Sequence, residues 1–358
     1  MGSLISYSGI STKVKAMERF RIRPEQFEAM ADLGSVPEAV QFLRSNPSYE
    51  KAFSKASEDE LHRGKIEQLL NLSKYHDFAK LYRFANVGQR RFLDLYFMHY
   101  EIDILKTCLR NAAGNRESAQ DLSGFKEFFD KHSDMDLVQL SQCRSIEDVI
   151  RGLKGSAYYE PLEKLLEQGK ATLPACETAM DMLYFKTIWK IKDKYLSKAE
   201  AKMLAQCFGT KMDMLNFQWI CRAKKYYNLS EGDIYALIIP IQYHVTKKEI
   251  QTMAQAENME QVYGVIKNSW YKCQDIEGLM EHGLGNGAKE LTDKIYELTS
   301  RKEPYSAAVL NSYLYFKERE IEQIITTIEQ LWDDSKDLRG LCEVIEKMKF
   351  LSITASNL

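Results

Sequence analysis

The chain has 358 residues, of which 28% are charged and 45% hydrophobic, and its formal net charge at pH 7 is −2. This composition is typical of a globular protein that buries a large core without disulfides. The near-neutral charge argues against a dedicated nucleic-acid-binding protein, because such proteins carry a basic surplus. The seven cysteines form no CxxC pair, which is typical of unpaired thiols in a reducing compartment.

Apolar residues at three-and-four spacing run through nearly the whole chain and predict helices. The sequence contains no run of 18 apolar residues, so no membrane span is predicted. The first ten residues lack the basic region of a signal peptide. Capping boxes predict helix starts at Ser57–Glu60, Ser197–Glu200 and Thr246–Glu249. We therefore expect an all-α protein.

Three later segments carry further structural signals. The run "IYALIIPIQY" (234–243) is interpreted as a buried helix kinked near Pro240. "GLGNGAKE" (283–290) fails the Walker spacing and follows a helical segment, so it is interpreted as a connector between helices. Near the C-terminus one apolar stripe of a helix is predicted to contain Leu310, Leu314, Ile321, Ile325, Ile328 and Trp332.

A pattern that predicts a capped helix followed by a tyrosine occurs three times in the sequence. "SVPEAVQFLRSNPSY" (35–49) aligns without a gap with "SIEDVIRGLKGSAYY" (145–159), and "NMEQVYGVIKNSWY" (258–271) is a third copy with one residue deleted. The copies begin at intervals of 110 and 113 residues. Three matches at nearly constant spacing indicate an internal repeat, because a single match describes many unrelated helices.

A second motif follows the same period. "YFMHYEIDIL" (96–105) and "YFKEREIEQI" (315–324) share a skeleton, with a looser copy between them. Its acids are Asp103, Asp213 and Glu322, with Glu101 and Glu320 two residues before the first and last; Lys211 stands in that place in the middle copy. The sequence therefore predicts three helical-bundle repeats of about 110 residues, approximately 1–110, 111–220 and 221–358, in a pseudo-threefold arrangement.

No motif for catalysis, a cofactor or a metal is present. The six histidines form no HExxH pair, and the sequence holds no GxSxG. The repeated acids Asp103, Asp213 and Glu322 either face solvent on amphipathic helices or pair with Arg or Lys across repeat junctions. The charges of 315–324 are interpreted as an outer helix face or as links between repeats. No catalytic residue, cofactor or small-molecule substrate is predicted.

Four segments carry a resemblance to a known family: "YSGISTKVKAMERF" (7–20), "EIDILKTCLR" (101–110), "KMDMLNFQWICR" (211–222) and "YLYFKEREIEQI" (313–324). With these segments the chain resembles, over essentially its whole length, the C subunit of bacterial and archaeal V-type ATPases and ATP synthases, the counterpart of the d subunit of the eukaryotic vacuolar proton pump. The last segment is the most specific. In the third, Lys211 departs from the glutamate found at 101 and 320.

The resemblance implies a funnel-shaped rotor protein without an active site, forming a single domain over 1–358. Its partners would be the central stalk subunits and the membrane proteolipid ring, on whose cytoplasmic face it would sit as a peripheral subunit that transmits torque for ion transport. Two other interpretations stay open: a free-standing helical scaffold or adaptor without membrane association, and an enzyme with its site between helices.

Overall fold

In the computed structural model, which describes residues 2–54, 56–57, 61–114, 121–227, 229–274 and 284–336, the chain is built from helices. No strand occurs in these ranges, which confirms the all-α prediction. The first six helices are α1 (Gly2–Glu18), α2 (Pro24–Ala31), α3 (Val36–Ser45), α4 (Glu50–Phe53), α5 (Arg63–Phe84) and α6 (Val87–Ala113). The next six are α7 (Lys126–His132), α8 (Leu137–Ser141), α9 (Ile146–Gly152), α10 (Tyr159–Glu167), α11 (Leu173–Tyr195) and α12 (Lys198–Arg222). The last five are α13 (Glu231–Leu237), α14 (Lys247–Gln255), α15 (Met259–Asn268), α16 (Leu284–Lys302) and α17 (Ala307–Lys336).

The order of short and long helices recurs along the chain. Two consecutive long helices occur three times, as α5 with α6, α11 with α12 and α16 with α17. Each pair follows a segment that contains two shorter helices, which are α2 and α3, α8 and α9, and α14 and α15. This order supports the interpretation as three repeats. The repeat borders and the funnel arrangement stay predictions.

The chain divides into two compact units. Unit 1 comprises Met1–Met180 with Tyr313–Leu358, and unit 2 comprises Asp181–Ser312. In unit 1 the beginning and the end of the chain share one core: α2, α3, α4 and the start of α5 pack with the second half of α17. The almost fully buried members of this core include Val40, Leu43, Phe53, Leu70, Ile324 and Ile328.

A second core in unit 1 is aromatic. Tyr75 and Phe78 of α5 contact Tyr100 of α6, and Tyr75 stacks on Phe128 of α7 with ring centroids 4.6 Å apart. Several other ring pairs here meet edge to face, an arrangement that the ring quadrupoles favour. These contacts bind α7 to the α5–α6 hairpin.

In unit 2 the centre of α12 packs closely against the chain after α13. A Cβ atom placed on Gly209 would overlap the Tyr243 ring, so only glycine permits this approach. Two turns further along α12, the buried Asn216 side chain binds the Ile239 backbone, accepting from its N–H at 2.8 Å and donating to its carbonyl at 3.1 Å. The side chain thus satisfies backbone groups next to Pro240, which cannot continue a helix.

This contact corrects the prediction of a kinked helix over 234–243. The helix α13 ends at Leu237, and residues 239–243 are not helical. The predicted connector at 283–290 is also wrong for its described part, because Leu284–Glu290 form the start of α16. For 234–243, the residue that binds the non-helical backbone, Asn216, lies outside the segment.

The predicted helix starts are confirmed where the structure describes them. Ser197 and Thr246 accept from the backbone N–H of Glu200 and Glu249, and each glutamate bonds back to the cap. Glu60 of the third box lies outside the described residues. No helix in the described ranges is both long and apolar enough to span a membrane. Five cysteines are free thiols there, namely Cys108, Cys143, Cys176, Cys207 and Cys221.

Candidate functional site: three acid–tyrosine junctions

Three carboxylates, each on a long helix, accept a hydrogen bond from a tyrosine that follows a short helix. We call these contacts the acid–tyrosine junctions. They are Glu320 with Tyr49, Glu101 with Tyr158, and Asp213 with Tyr271. The first two lie in unit 1 and the third lies in unit 2.

The first junction joins α17 to the beginning of the chain. Glu320 is 3% exposed and accepts from the Tyr49 hydroxyl. Its Oε2 also accepts from the Ile22 backbone N–H at 3.0 Å and from Arg21 Nε at 3.3 Å. Arg21 and Ile22 precede α2, whereas Tyr49 follows α3. The carboxylate thereby fixes both ends of the α2–α3 segment on α17.

A buried cation lies beside this carboxylate. Lys317 is 1% exposed, and its Nζ lies 3.6 Å from Glu320 Oε1, 3.8 Å from Asp77 Oδ2 and 3.7 Å from the centroid of the Tyr49 ring. The Tyr313 hydroxyl donates to Asp77 Oδ2 at 2.8 Å. Burial lowers the pKa of Lys317, while the two carboxylates act in the opposite direction.

The tyrosines of this cluster stay neutral. Burial, with the negative charge of Glu320, holds the pKa of Tyr49 well above its usual value of 10. Burial and Asp77 have the same effect on the pKa of Tyr313. Both hydroxyls therefore serve as hydrogen-bond donors and not as bases.

The second junction joins α6 to the chain around α8–α9. Glu101 is half-buried; Tyr158 donates to its Oε2 at 2.8 Å and the Ser133 hydroxyl donates to its Oε1. Burial raises the pKa of Glu101, and the two hydrogen bonds partly offset this rise.

The third junction joins α12 to the chain around α14–α15. Asp213 is fully buried, and its Oδ2 accepts from the Tyr271 hydroxyl at 2.8 Å, from His244 N at 2.8 Å and from Val245 N at 3.2 Å. Burial raises the pKa of this carboxyl to about 6, although the hydrogen bonds act to lower it. The His244 ring stacks on Trp270, with centroids 3.5 Å apart.

The junctions have the same order of donors. In each, one donor comes from the segment before the two short helices, at Ile22, Ser133 or His244, and these positions follow at intervals of 111 residues. The tyrosine comes from the segment after the second short helix. Each acid therefore clamps one pair of short helices at both ends.

The structure places the predicted repeat acids in different environments. Asp213, Glu101 and Glu320 belong to the junctions. The Asp103 side chain is 40% exposed on α6; it forms an ion pair with Lys74 at 3.7 Å, and its Oδ2 lies 3.8 Å from His99 Nε2. Glu322 is exposed and pairs with Arg319 of its own helix at 2.9 Å.

The charges of 315–324 are likewise divided between two faces. Lys317 and Glu320 are buried, where the interpretation as an outer helix face predicts exposure. Glu322 is exposed and Arg319 is half-buried, so only this side of α17 is an outer face. The link between repeats is the interpretation that fits Glu320.

Sequence reasoning missed the role of the tyrosines. The closing tyrosine of each repeated segment is visible in the sequence, but the gap-free alignment pairs Tyr49 with Tyr159. In the structure Tyr158 makes the equivalent contact, while Tyr159 donates to Glu163 of α10. The tyrosines that make the contact follow at intervals of 109 and 113 residues, so neither the gap-free alignment nor the 111-residue interval of the other donors fixes their register.

The cap positions of the three repeated segments also differ. Ser145 and Asn258 bind the helix start with their side chains, and Ser35 sits at its cap without such a bond. The shared position of the cap therefore marks the start of the short helix in all three copies, although the side-chain bond is made in two.

The junctions hold helices together and are not arranged for substrate chemistry. Glu320 accepts through both of its oxygens and Asp213 through Oδ2, in each case from groups of the protein itself, so these carboxylates are engaged within the fold. In the described part of the chain, no three His, Cys, Asp or Glu residues are grouped as metal ligands.

The chain matches a family model across these same helices. The family is described as ATP synthase (C/AC39) subunit, and its model covers residues 10–337. The chain is a member of the ATP synthase (C/AC39) subunit family. The resemblance found from the sequence is thus confirmed.

Curated relatives from archaea agree with this membership. The C subunit of an A-type ATP synthase from Methanosphaera stadtmanae is 25% identical over 332 residues, covering 89% of this chain and 82% of the relative. Proteins of the same name from Archaeoglobus fulgidus and Pyrococcus horikoshii are each 22% identical, over 90% and 96% of this chain and 91% and 90% of the relatives. The family is that of the C subunit and not of a catalytic one, and this C/AC39 member is part of a rotary ATPase.

Proposed function

We propose that the chain is a rotor subunit that couples the central stalk of a V-type ATPase or ATP synthase to the membrane proteolipid ring. The observation that carries the proposal is the family match over residues 10–337, together with relatives named as the C subunit over most of their length. In this role the chain transmits torque for ion transport, from the cytoplasmic face of the membrane.

The junctions suit a body that carries torque. A coupling protein deforms little only if its helices cannot slide past one another, and close-packed interiors resist such movement. Each junction adds directional hydrogen bonds between a long helix and both ends of a short-helix pair. Buried charge-assisted bonds are costly to break, because the separated groups lose their partners in a medium of low polarity.

The order in which the junctions connect the predicted repeats also supports three repeats within one domain over 1–358. Glu101 of the first predicted repeat binds Tyr158 of the second, and Asp213 of the second binds Tyr271 of the third. Glu320 of the third binds Tyr49 of the first. A pseudo-threefold body needs a cyclic order of this kind, because the short helices of each repeat then bind the long helix of the repeat before it.

Reconstitution tests the proposal. The isolated chain should form a complex with the central stalk subunits at micromolar concentration and should neither bind nor hydrolyse ATP. In proteoliposomes that contain the ring, stator and catalytic head, omission of the chain should abolish ATP-driven ion transport while the head still hydrolyses ATP. Ion transport of unchanged rate without the chain would overturn the proposal, as would ATPase activity of the chain alone.

The same experiment distinguishes the coupling role from the competing interpretation, a free-standing scaffold. A free-standing scaffold would bind neither the stalk nor the ring, and it would remain monodisperse when mixed with both. Complex formation with only one of the two would contradict the coupling role, because torque must enter at one surface and leave at another.

A further inference from the structure

Large apolar side chains are exposed where α1 begins and where α5 turns into α6. The exposed fractions are 48% for Leu4, 77% for Ile5, 62% for Phe84 and 71% for Val87. We call these four residues the N-terminal corner. They lie in unit 1 and take no part in the acid–tyrosine junctions.

Hydrogen bonds hold the two parts of this corner together. Asn86 Nδ2 donates to Ser6 Oγ at 3.0 Å, and Gln89 Nε2 donates to the Ser6 carbonyl at 2.9 Å. Ser6 follows Ile5 directly, and Asn86 lies between Phe84 and Val87 in the chain. The apolar side chains are therefore presented by a fixed scaffold and not by a loose terminus.

The corner is formed by two stretches of chain, residues 2–17 and 81–93, and the charged residues in both are basic. Between residues 2 and 17 the charged residues are Lys13 and Lys15, and between 81 and 93 they are Arg83, Arg90 and Arg91. Neither stretch contains an acidic residue. Lys13 Nζ lies 5.0 Å from the centroid of the Phe84 ring, so a cation borders the apolar surface directly.

The acids that follow these two stretches are Glu18 and Asp94. Asp94, one turn further along α6, accepts a hydrogen bond from the Tyr82 hydroxyl; burial, and after it this bond, raises the pKa of that tyrosine. Asp94 is therefore engaged with a residue at the end of α5, two residues before Phe84.

We propose that the N-terminal corner docks on the surface of an anionic lipid bilayer. Apolar side chains flanked by Lys and Arg, without acids between them, match the boundary between acyl chains and negatively charged headgroups. The long basic side chains can extend to phosphates while Ile5, Phe84 and Val87 enter the headgroup region. The inference goes beyond the proposed function, because it names lipid and not a protein subunit as the partner of this surface.

Vesicle sedimentation tests the inference with the full chain. Vesicles of phosphatidylcholine with phosphatidylglycerol should sediment the protein, vesicles of phosphatidylcholine alone should sediment much less, and added salt should weaken the binding. The double variant Phe84→Ser/Val87→Ser should bind the anionic vesicles about tenfold more weakly, because it loses the apolar contact. Arg83→Gln should weaken binding about fivefold.

Matched controls lie elsewhere in unit 1. Val138→Ser removes an apolar side chain that is 39% exposed on α8, and Lys154→Gln removes an exposed charge after α9; neither should change vesicle binding. All the changes are at exposed positions, and circular dichroism should show unchanged helicity. Equal binding to both kinds of vesicle, or no loss in the double variant, would overturn the inference.

Detergent-solubilised proteolipid ring gives a separate outcome. If the corner variants lose binding to the ring in detergent while the wild-type chain ignores anionic vesicles, the corner is a protein interface and the lipid inference is wrong. The stalk complex should form equally well with all variants, so a failure of the coupling role would appear in that assay alone.

Discussion

Glu320 shows how one side chain can organise distant parts of a sequence. It accepts hydrogen bonds from Tyr49, Ile22 and Arg21, which precede it by 271, 298 and 299 residues, and it lies 3.6 Å from the buried Lys317 ammonium. An unpaired buried carboxylate would be strongly unfavourable, so the acid requires this set of donors as much as they require it. The contact is therefore specific as well as strong.

The hydroxyl of Tyr49 provides a direct test of this junction. Tyr49→Phe keeps the ring beside Lys317 but removes the bond to Glu320, and a hydrogen bond to a charged group contributes about 1.5–3 kcal/mol. We expect the free energy of unfolding in urea to fall by that amount. Tyr305→Phe, at a position 39% exposed, is the control and should change it by less than about 0.5 kcal/mol. Equal effects of the two substitutions would contradict the role assigned to the junction.

Asp213 makes the stability of unit 2 depend on pH. Its pKa is about 6 in the folded chain against an ordinary value of 3.8, so the folded state binds more protons than the unfolded state between these values. The contribution is fully present below about pH 4 and is lost as the pH rises through about 6. A difference of about two pKa units corresponds to roughly 3 kcal/mol.

Asp213→Asn isolates this effect, because an amide oxygen can still accept from Tyr271 and the backbone but cannot ionise. Unfolding free energies of wild type and variant should be measured from about pH 4.5 to 7.5, and their difference should change by about 2 kcal/mol in favour of the variant as the pH rises. The other titratable groups around the site, His244, Tyr243 and Tyr271, are present in both proteins. A difference that is constant with pH would rule out the raised pKa of Asp213.

At the scale of helices, the close approach of α12 to Tyr243 depends on Gly209. Gly209→Ala adds a methyl group that would overlap the ring, and overpacking of a well-packed core costs about 1–3 kcal/mol. Nothing lies within 4 Å of a Cβ on Gly264 of α15, so Gly264→Ala should stabilise by about 0.5–1 kcal/mol through helix propensity. Thermal unfolding of both variants measures the contrast. Stabilisation by Gly209→Ala would show that Tyr243 moves away at no cost.

Sequence patterns predict a helix boundary well where the residues that determine it are close together in the sequence. The boxes at Ser197 and Thr246 depend on residues three apart, and the structure contains both. The interpretation of 234–243 was wrong because Asn216, which precedes it in the sequence by about five helical turns, binds the Ile239 backbone outside any helix. No periodicity within ten residues could reveal that partner.

The repeat acids show the same limit at the site. The period located the correct helices, but Asp103 and Glu101 are two residues apart, and a helix turns by about 200° over two residues. The motif contains both residues, of which Asp103 is partly exposed and Glu101 makes the contact with Tyr158. Sequence spacing identifies the element, and only the packing partner identifies the residue on it.

At the scale of the whole molecule, the beginning and the end of the chain form one core in unit 1. Ile324 and Ile328 of α17 are buried with Val40 and Leu43 of α3, at the other end of the sequence. Contacts of such high sequence separation form slowly during folding, because the chain must close a long loop first. The helices α2–α4 should therefore be protected only when α17 is in place.

Ile324→Ala tests this dependence. Removing a fully buried isoleucine costs about 2–5 kcal/mol through lost burial and the cavity left behind. Hydrogen exchange measured by mass spectrometry should become faster in α2–α4 as well as in α17, although the substitution lies near the other end of the sequence. Ile266→Ala is the matched control, since Ile266 is equally buried in α15 of unit 2 and its loss should speed exchange in α14 and α15. If Ile324→Ala speeds exchange in α17 alone, the two ends of the chain do not form one cooperative core, and the cyclic order of junctions proposed for torque transmission loses the link between Glu320 and Tyr49.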